Sequence, residues 1–356
     1  MTNRRRFWWV LRIVVSVALI ALLLSRLDIR NMAGFLARAD WWLVALTLVT
    51  VAIDRSLMAG RWIYLLEGLG FHPPRARVVK IFFLSTFFGS FLPTGIGGET
   101  VRAVSFSRLS SKSIESVASV AMDRIMGMLS MLLIGLVALV VFFRIYPHPA
   151  LLATVLALSV VVLAGLALLL SPSFHRWILS RIRPASPAGH ASEDGDEDRK
   201  PGWPGWRRSV GRAIGAMERY RSQPGLLGLV LAMSVGVQLL RILQAYLLSE
   251  AMALDTALVY FFCFVPLILL ITMLPISVSG LGTTNLAYVA LFGSVGMDPE
   301  GAFVLSVLIL ALGVIGNLPG GFIYAIEGFA ASESASGKED VRHGDLERSG
   351  FAESDP

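Results

Sequence analysis

The sequence predicts an all-α polytopic membrane protein with about six full transmembrane helices and two re-entrant hairpins. Three observations predict it. Hydrophobic residues fill 55% of the 356 positions and charged residues only 16%, against roughly 25% charged in an ordinary soluble protein. The charges gather in a few links and leave apolar runs of about 20 residues, the length a bilayer crossing needs. Two of those runs are interrupted by proline and glycine, which a simple span would not carry.

The apolar segments fall near 7–25, 41–60, 78–95, 116–143, 150–170, 225–248, 257–276 and 303–326, with a shorter run at 285–297. The first follows Arg4-Arg5-Arg6 and ends without a small-residue cleavage site, so it reads as an uncleaved span and not a signal peptide. Residues 183–209 contain the acidic run Glu193-Asp194-Gly195-Asp196-Glu197-Asp198 and several prolines and glycines. Low hydrophobicity and high charge keep such a segment from folding. The expected organisation is one transmembrane domain, 1–328, with a disordered cytoplasmic loop at 183–209 and a disordered cytoplasmic tail at 329–356.

The net charge of +6 would suggest nucleic acid if it formed one basic face. Instead the Lys and Arg residues sit in the links, the positive-inside pattern, so no nucleic-acid partner is expected. The link 171–224 is rich in arginine, and 61–80 and 100–114 are basic too, so all three are placed in the cytoplasm together with both termini. The links 144–149 and 249–256 fit the outside. Link 26–40 carries Arg26, Arg30 and Arg38 yet must lie outside, which is the weak point of this topology.

Segment 78–98 then begins and ends on the cytoplasmic side. Its end reads Phe91-Leu92-Pro93-Thr94-Gly95-Ile96-Gly97-Gly98-Glu99. Proline removes a backbone donor and glycine permits a sharp reversal, so the segment reads as a re-entrant hairpin. Segment 257–297 breaks in the same way at Pro275, Gly280 and Gly282, and reads as a second hairpin entering from outside. Each break follows a span that carries an arginine, Arg55 in one and Arg241 in the other. Interrupted helices in corresponding positions of two halves are the mark of an inverted-topology repeat. The competing reading is two unrelated kinks.

An ionisable residue at a helix centre costs about 2.5–3.5 kcal/mol on insertion scales, so it faces a partner or a water-filled cavity. The candidates are Asp54 and Arg55, Glu99 and Arg102, Asp123 and Arg124, and Arg241 with Gln238 beside it. Ser234, Gln238 and Arg241 share one helical face. Neighbours such as Asp54 and Arg55 do not face each other on a helix, so each is expected to find its partner elsewhere. Buried ion pairing that only pins helices together is one reading of these groups. The other is a cationic cavity for a lipid phosphate, which arginine binds bidentately. Arg61-Trp62 and Arg75/Arg77 read as interfacial anchors, and Asn317 in Asn317-Leu318-Pro319-Gly320-Gly321 as part of a kink.

Catalytic templates find no footing. The five histidines lie in links or tails without metal-ligand spacing, and there is no P-loop or Gly-x-Ser-x-Gly elbow. Cys263 stands alone, so no disulfide or Cys-rich metal site is expected. No catalytic residue, metal or cofactor is therefore anticipated.

The stretch Phe91-Leu92-Pro93-Thr94-Gly95-Ile96-Gly97-Gly98-Glu99-Thr100-Val101-Arg102 resembles the transmembrane region of lysylphosphatidylglycerol synthases, a flippase-like domain shared with UPF0104-type membrane proteins. Arg61-Trp62, Asp123-Arg124 and the break from Pro275 to Gly282 follow in the order that family shows. The resemblance covers nearly all of 7–328. It implies a domain that moves lipid between leaflets, with Glu99, Arg102, Asp123 and Arg124 as the positions to carry over. The family often has a basic–acidic pair shortly after the second Gly-Leu-Gly, and here those positions are Thr284 and Asn285. The sequence runs only about thirty residues past the last apolar segment, so the soluble synthase domain, and with it lysyl transfer, is not expected.

The expected function is an integral translocase for a phosphate-bearing lipid, either a phospholipid or a prenyl phosphate, in the bacterial inner membrane. Its site would be Arg55, Glu99, Arg102, Asp123, Arg124, Gln238 and Arg241, with a homodimer left open. The alternatives are a non-transporting accessory subunit of an envelope lipid or glycan pathway, and a membrane-embedded transferase acting on a lipid carrier.

Overall fold

The computed structural model describes residues 16–92, 97–110, 112–145, 215–273 and 280–326, with isolated positions at 14, 160, 164, 171 and 277. The helices are α1 (16–24), α2 (Ile29–Arg38), α3 (Trp41–Gly68), α4 (Arg75–Phe91), α5 (Gly97–Ser110), α6 (Ser113–Ile145), α7 (215–221), α8 (Pro224–Ala251), α9 (Leu258–Met273), α10 (Thr283–Gly293), α11 (Pro299–Ile315) and α12 (318–326). No strand occurs among the described residues, so the all-helical prediction stands. The expected span 150–170, the loop 183–209, the tail 329–356 and the start of the first span lie outside the described residues, as do Pro93, Gly95 and Pro275.

Four stretches among the described residues are long and apolar enough to cross a membrane: α3, α6 to Ala138, α8, and α11 continued through a turn into α12. Their ends follow local chemistry. Asp40 accepts from the Trp42 N–H at 2.9 Å and starts α3, as Asp28 starts α2 by accepting from Arg30. An uncompensated helix N-terminus leaves free N–H groups, and an Asp side chain satisfies one of them. Pro224 and Pro299 open α8 and α11, where a missing N–H costs nothing. Helix α2 explains the basic link 26–40: it is a short amphipathic helix that buries Met32 and leaves Arg30 and Arg38 exposed.

Both interrupted segments fold as antiparallel hairpins. In α4 and α5, Gly89 meets Gly98 near the break and Arg102 lies over Phe82, while Phe71 in the link before α4 meets Phe106 at the far end. In α9 and α10, Thr272 meets Gly280 near the break and Phe264 meets Phe292 further along. The four arms hold 17, 14, 16 and 11 residues, each short of the roughly 20 a crossing needs.

The two halves pack in matching ways. Helix α3 runs antiparallel to α8: Asp54 faces Arg241, Gly60 faces Met233 and Gly68 faces Leu226. Each half also lends a helix to the other's hairpin. Helix α6 packs on α9, placing Gly135 against Pro266, and α12 packs on α4, placing Gly320 and Gly321 against Phe83 and Phe87. An antiparallel crossing of α3 and α8 is the arrangement an inverted repeat would give them.

One pair of equivalent contacts separates the halves chemically. Arg102 on α5 is bonded to Asp123 on α6, and Asn285 on α10 donates to Ser306 on α11 at 2.7 Å. Asn285 lies as far after Arg102 in the chain as Ser306 lies after Asp123. The same helix-to-helix clasp is thus ionic in the first half and neutral in the second. Asn285 also accepts from the Gly282 N–H at 3.0 Å, capping α10 where Gly280 and Gly282 take the left-handed backbone that favours glycine. Asn285→Ala removes both bonds and should cost about 1–2 kcal/mol, read as a lower melting temperature in detergent.

Candidate functional site

A cavity of about 250 Å³ opens between α3, α4, α5, α6 and α8. Its charged lining is Arg61, Arg102, Arg124 and Arg241 against Glu99 and Asp123, with Gln238, Ser85 and Thr86 adding neutral polar groups. Six of the seven expected site residues thus converge from three helices. Arg55 does not line the cavity.

The floor is an ion triad. Asp123 on α6 is buried and accepts from Arg61 Nε at 2.6 Å through Oδ1 and from Arg102 Nη2 at 3.0 Å through Oδ2. Arg61 extends the network to Ser234 Oγ on α8, 2.8 Å away. The Arg102 guanidinium also lies 5.1 Å from the centre of the Trp62 ring, an attraction between cation and ring face. Trp62 is itself fixed by donating its indole N–H to Ser119 Oγ at 3.2 Å. A carboxylate this deep is tolerable only because both oxygens carry charged donors.

Glu99 and Arg124, half-exposed, pair across α5 and α6 nearer the opening. Gly98 and Glu99 bring the start of α5 into the lining, where free N–H groups and the positive end of the helix dipole favour an anion. Behind Arg241 lies a second cluster. Arg241 Nε approaches buried Asp54 at 3.4 Å, and Arg55 Nη1 donates to Asp54 at 2.7 Å. Arg55 Nε donates to Asn317 Oδ1 at 2.8 Å, and Asn317 donates in turn to Ser90 Oγ at 2.8 Å. Among the described residues, two polar atoms of the lining are buried with no hydrogen-bond partner, Arg102 Nε and Gln238 Oε1.

Several sequence expectations need correction. Arg61-Trp62 is not an interfacial anchor: both residues are buried, and Arg61 is a cavity residue. Helix α3 has 28 residues, and its last turns pack against α6, α7 and α8, with Arg61 bonded to Asp123 and Ser234 and Gly68 set against Tyr220 and Leu226. The signal was available, because Arg61 falls seven residues after Asp54 and so shares its inward face. Asp54 and Arg55 do bond to each other, because the long arginine side chain curls back onto its neighbour while its other nitrogen reaches Asn317. Arg55 is consequently engaged behind the cavity and not within it. Asn317 sits in the turn between α11 and α12 as a bridge between Arg55 and the first hairpin. Of the expected hairpin-break glycines, Gly98 lines the cavity, Gly97 lies buried beside it, and Gly280 and Gly282 belong to the other hairpin. Gly282 packs against Ser16 and Leu19 of α1.

Among the described residues no cluster of His, Cys, Asp and Glu could hold a metal ion. No curated protein matches the chain. Residues 9–320 match the family described as the lysylphosphatidylglycerol synthase transmembrane region, a stretch containing the cavity and both hairpins, and the chain belongs to that family.

Proposed function

We propose that the protein moves a phosphate-bearing lipid between the leaflets of the bacterial inner membrane. One observation carries the reading: four arginines and two carboxylates line a single cavity between the first hairpin and three helices of membrane-crossing length. Membership of a family of lipid-handling membrane regions supports it. Burying that much charge in a lipid-facing protein is costly unless the site meets a charged ligand or pairs internally. Here the internal pairing is incomplete, because Arg102 Nε and Gln238 Oε1 have no partner among the described residues.

In this reading the headgroup phosphate enters past Glu99 and Arg124 and rests against Arg102 and Arg241, while the acyl chains stay in the bilayer. The first hairpin re-enters from the cytoplasm and the second from outside, with both chain termini cytoplasmic. The antiparallel crossing of α3 and α8 at Asp54, Arg55 and Arg241 is the pivot about which the halves exchange roles. The hydrogen bonds from Arg55 through Asn317 to Ser90 tie that pivot to the first hairpin.

Purified protein in vesicles containing a fluorescently labelled phospholipid provides the test. Arg241→Ala and Arg124→Ala should each slow leaflet exchange about tenfold or more, the loss expected when one charge-assisted phosphate contact goes, while membrane insertion stays normal. Unchanged exchange in both would remove the cavity from the mechanism. Product formation from a lipid and a donor, without exchange, would instead make the protein a transferase. Absence of both would leave an accessory subunit.

A further inference from the structure

We propose that the cavity selects a lipid phosphomonoester, a dianionic terminal phosphate, over a phosphodiester. The inference rests on the lipid-translocase reading and narrows it.

Charge is the first argument. The lining carries four arginines and two carboxylates, an excess of two positive charges. Asp54 and Arg55 behind Arg241 cancel each other and leave that excess unchanged. The carboxylates are fully engaged, Asp123 by Arg61 and Arg102, and Glu99 by Arg124. Helix α4 contributes only the hydroxyls of Ser85 and Thr86, and α8 adds Gln238 beside Arg241. A phosphodiester carries one negative charge and would leave one cation of the lining uncompensated. A phosphomonoester carries nearly two above its second ionisation, which lies near about pH 6.

Shape is the second argument. Arg61, Arg102 and Asp123 form a floor that is buried, whereas Glu99, Arg124 and Arg241 are partly exposed. A cavity of about 250 Å³ with a buried floor and a partly exposed rim favours the end of a chain. The phosphorus of a diester sits in mid-chain, with a second arm that must also be housed. Donor supply agrees with a terminal group. Among the described residues, Arg241 Nη2 meets the weak sulfur acceptor of Met58 at 3.3 Å, and Arg102 Nε is buried without a partner beside the cavity floor. A terminal phosphate offers three free oxygens to such donors, and a diester two.

The experiment uses the full chain in phosphatidylcholine vesicles. Leaflet exchange is measured for phosphatidic acid and for phosphatidylglycerol bearing the same fluorescent acyl chain, at pH 8 and pH 5. At pH 8 phosphatidic acid should exchange roughly tenfold faster or more, because one extra charge a few ångströms from an arginine is worth a kilocalorie or more. At pH 5 the terminal phosphate is a monoanion and the preference should shrink towards parity. Arg241→Gln lowers the excess charge and should shrink the pH 8 preference. The double variant Glu99→Gln, Arg124→Gln keeps the excess, so its overall rate should fall while the preference survives. Equal or faster exchange of phosphatidylglycerol at pH 8 overturns the selectivity and leaves lipid movement standing. A preference lost equally in Arg241→Gln and in the double variant overturns the charge argument. Exchange of neither lipid overturns the translocase reading and this inference with it.

Discussion

Asp123→Ala should destabilise the protein by about 3–5 kcal/mol, the cost of leaving buried cations without their counter-ion. Asp123 is the sole carboxylate bonded to both Arg61 and Arg102 among the described residues, and it ties α3, α5 and α6 together. Without it two buried guanidinium groups face each other with no counter-ion between them. The first hairpin should then loosen from α6, and the yield of monodisperse protein in detergent should fall sharply. Thermal unfolding followed by tryptophan fluorescence reads the effect directly, because Trp62 packs over Arg102. Asp123→Asn keeps the shape and part of the hydrogen bonding, and should fall between the two.

Gly98→Val should separate the arms of the first hairpin. A Cβ at residue 98 would lie 2.7 Å from the Ser85 carbonyl oxygen and 3.1 Å from Gly89 Cα. Both neighbours are backbone, so no side chain can turn aside, and α5 must move away from α4. Overpacking of this kind costs typically about 1–3 kcal/mol. The functional effect should be larger than the loss of stability, because Ser85, Gly89 and Gly98 all line the cavity. Gly98→Ala should be milder in both readouts. Melting temperature and lipid exchange measured on the same preparations separate the two effects.

The fold was legible where apolar periodicity and backbone breakers act alone. Residues 41–60 and 225–248 announce α3 and α8 by length and hydropathy, and the Leu-Pro and Gly-Leu-Gly breaks announce two hairpins. The site was legible as a set of charges that no helix in a membrane carries without cause. Pairings were not legible, because they depend on helix crossings that the one-dimensional pattern does not contain. Arg61 next to Trp62 has the composition of an interfacial anchor, and only the overlap of α3 with α6 and α8 turns it inward. Arg55 was placed in the cavity on the strength of its depth, and the turn at Asn317, distant in sequence, draws it to the far side. Thr284 and Asn285 read as a departure from the family pattern. The fold gives Asn285 a local purpose, to cap α10 and clasp Ser306.

That neutral clasp also gives the molecule a direction. The first hairpin carries the charges and the second carries amide and hydroxyl groups, so the halves share a contact plan but not a chemistry. In the proposed cycle the first half supplies most of the phosphate-binding charge, Arg241 on α8 completes it, and the second hairpin serves as the mechanical counterpart of the first. Placing Arg and Asp at 285 and 306 would test whether the second half tolerates a charged clasp, but it would not address whether lipid moves.

Leaflet exchange does address it. Vesicles holding the purified wild-type chain and a trace of labelled phosphatidic acid are exposed to a membrane-impermeant quencher. The account predicts that label in the inner leaflet becomes accessible within minutes in protein-containing vesicles and stays protected in protein-free ones. Protection that is identical with and without the protein would contradict it.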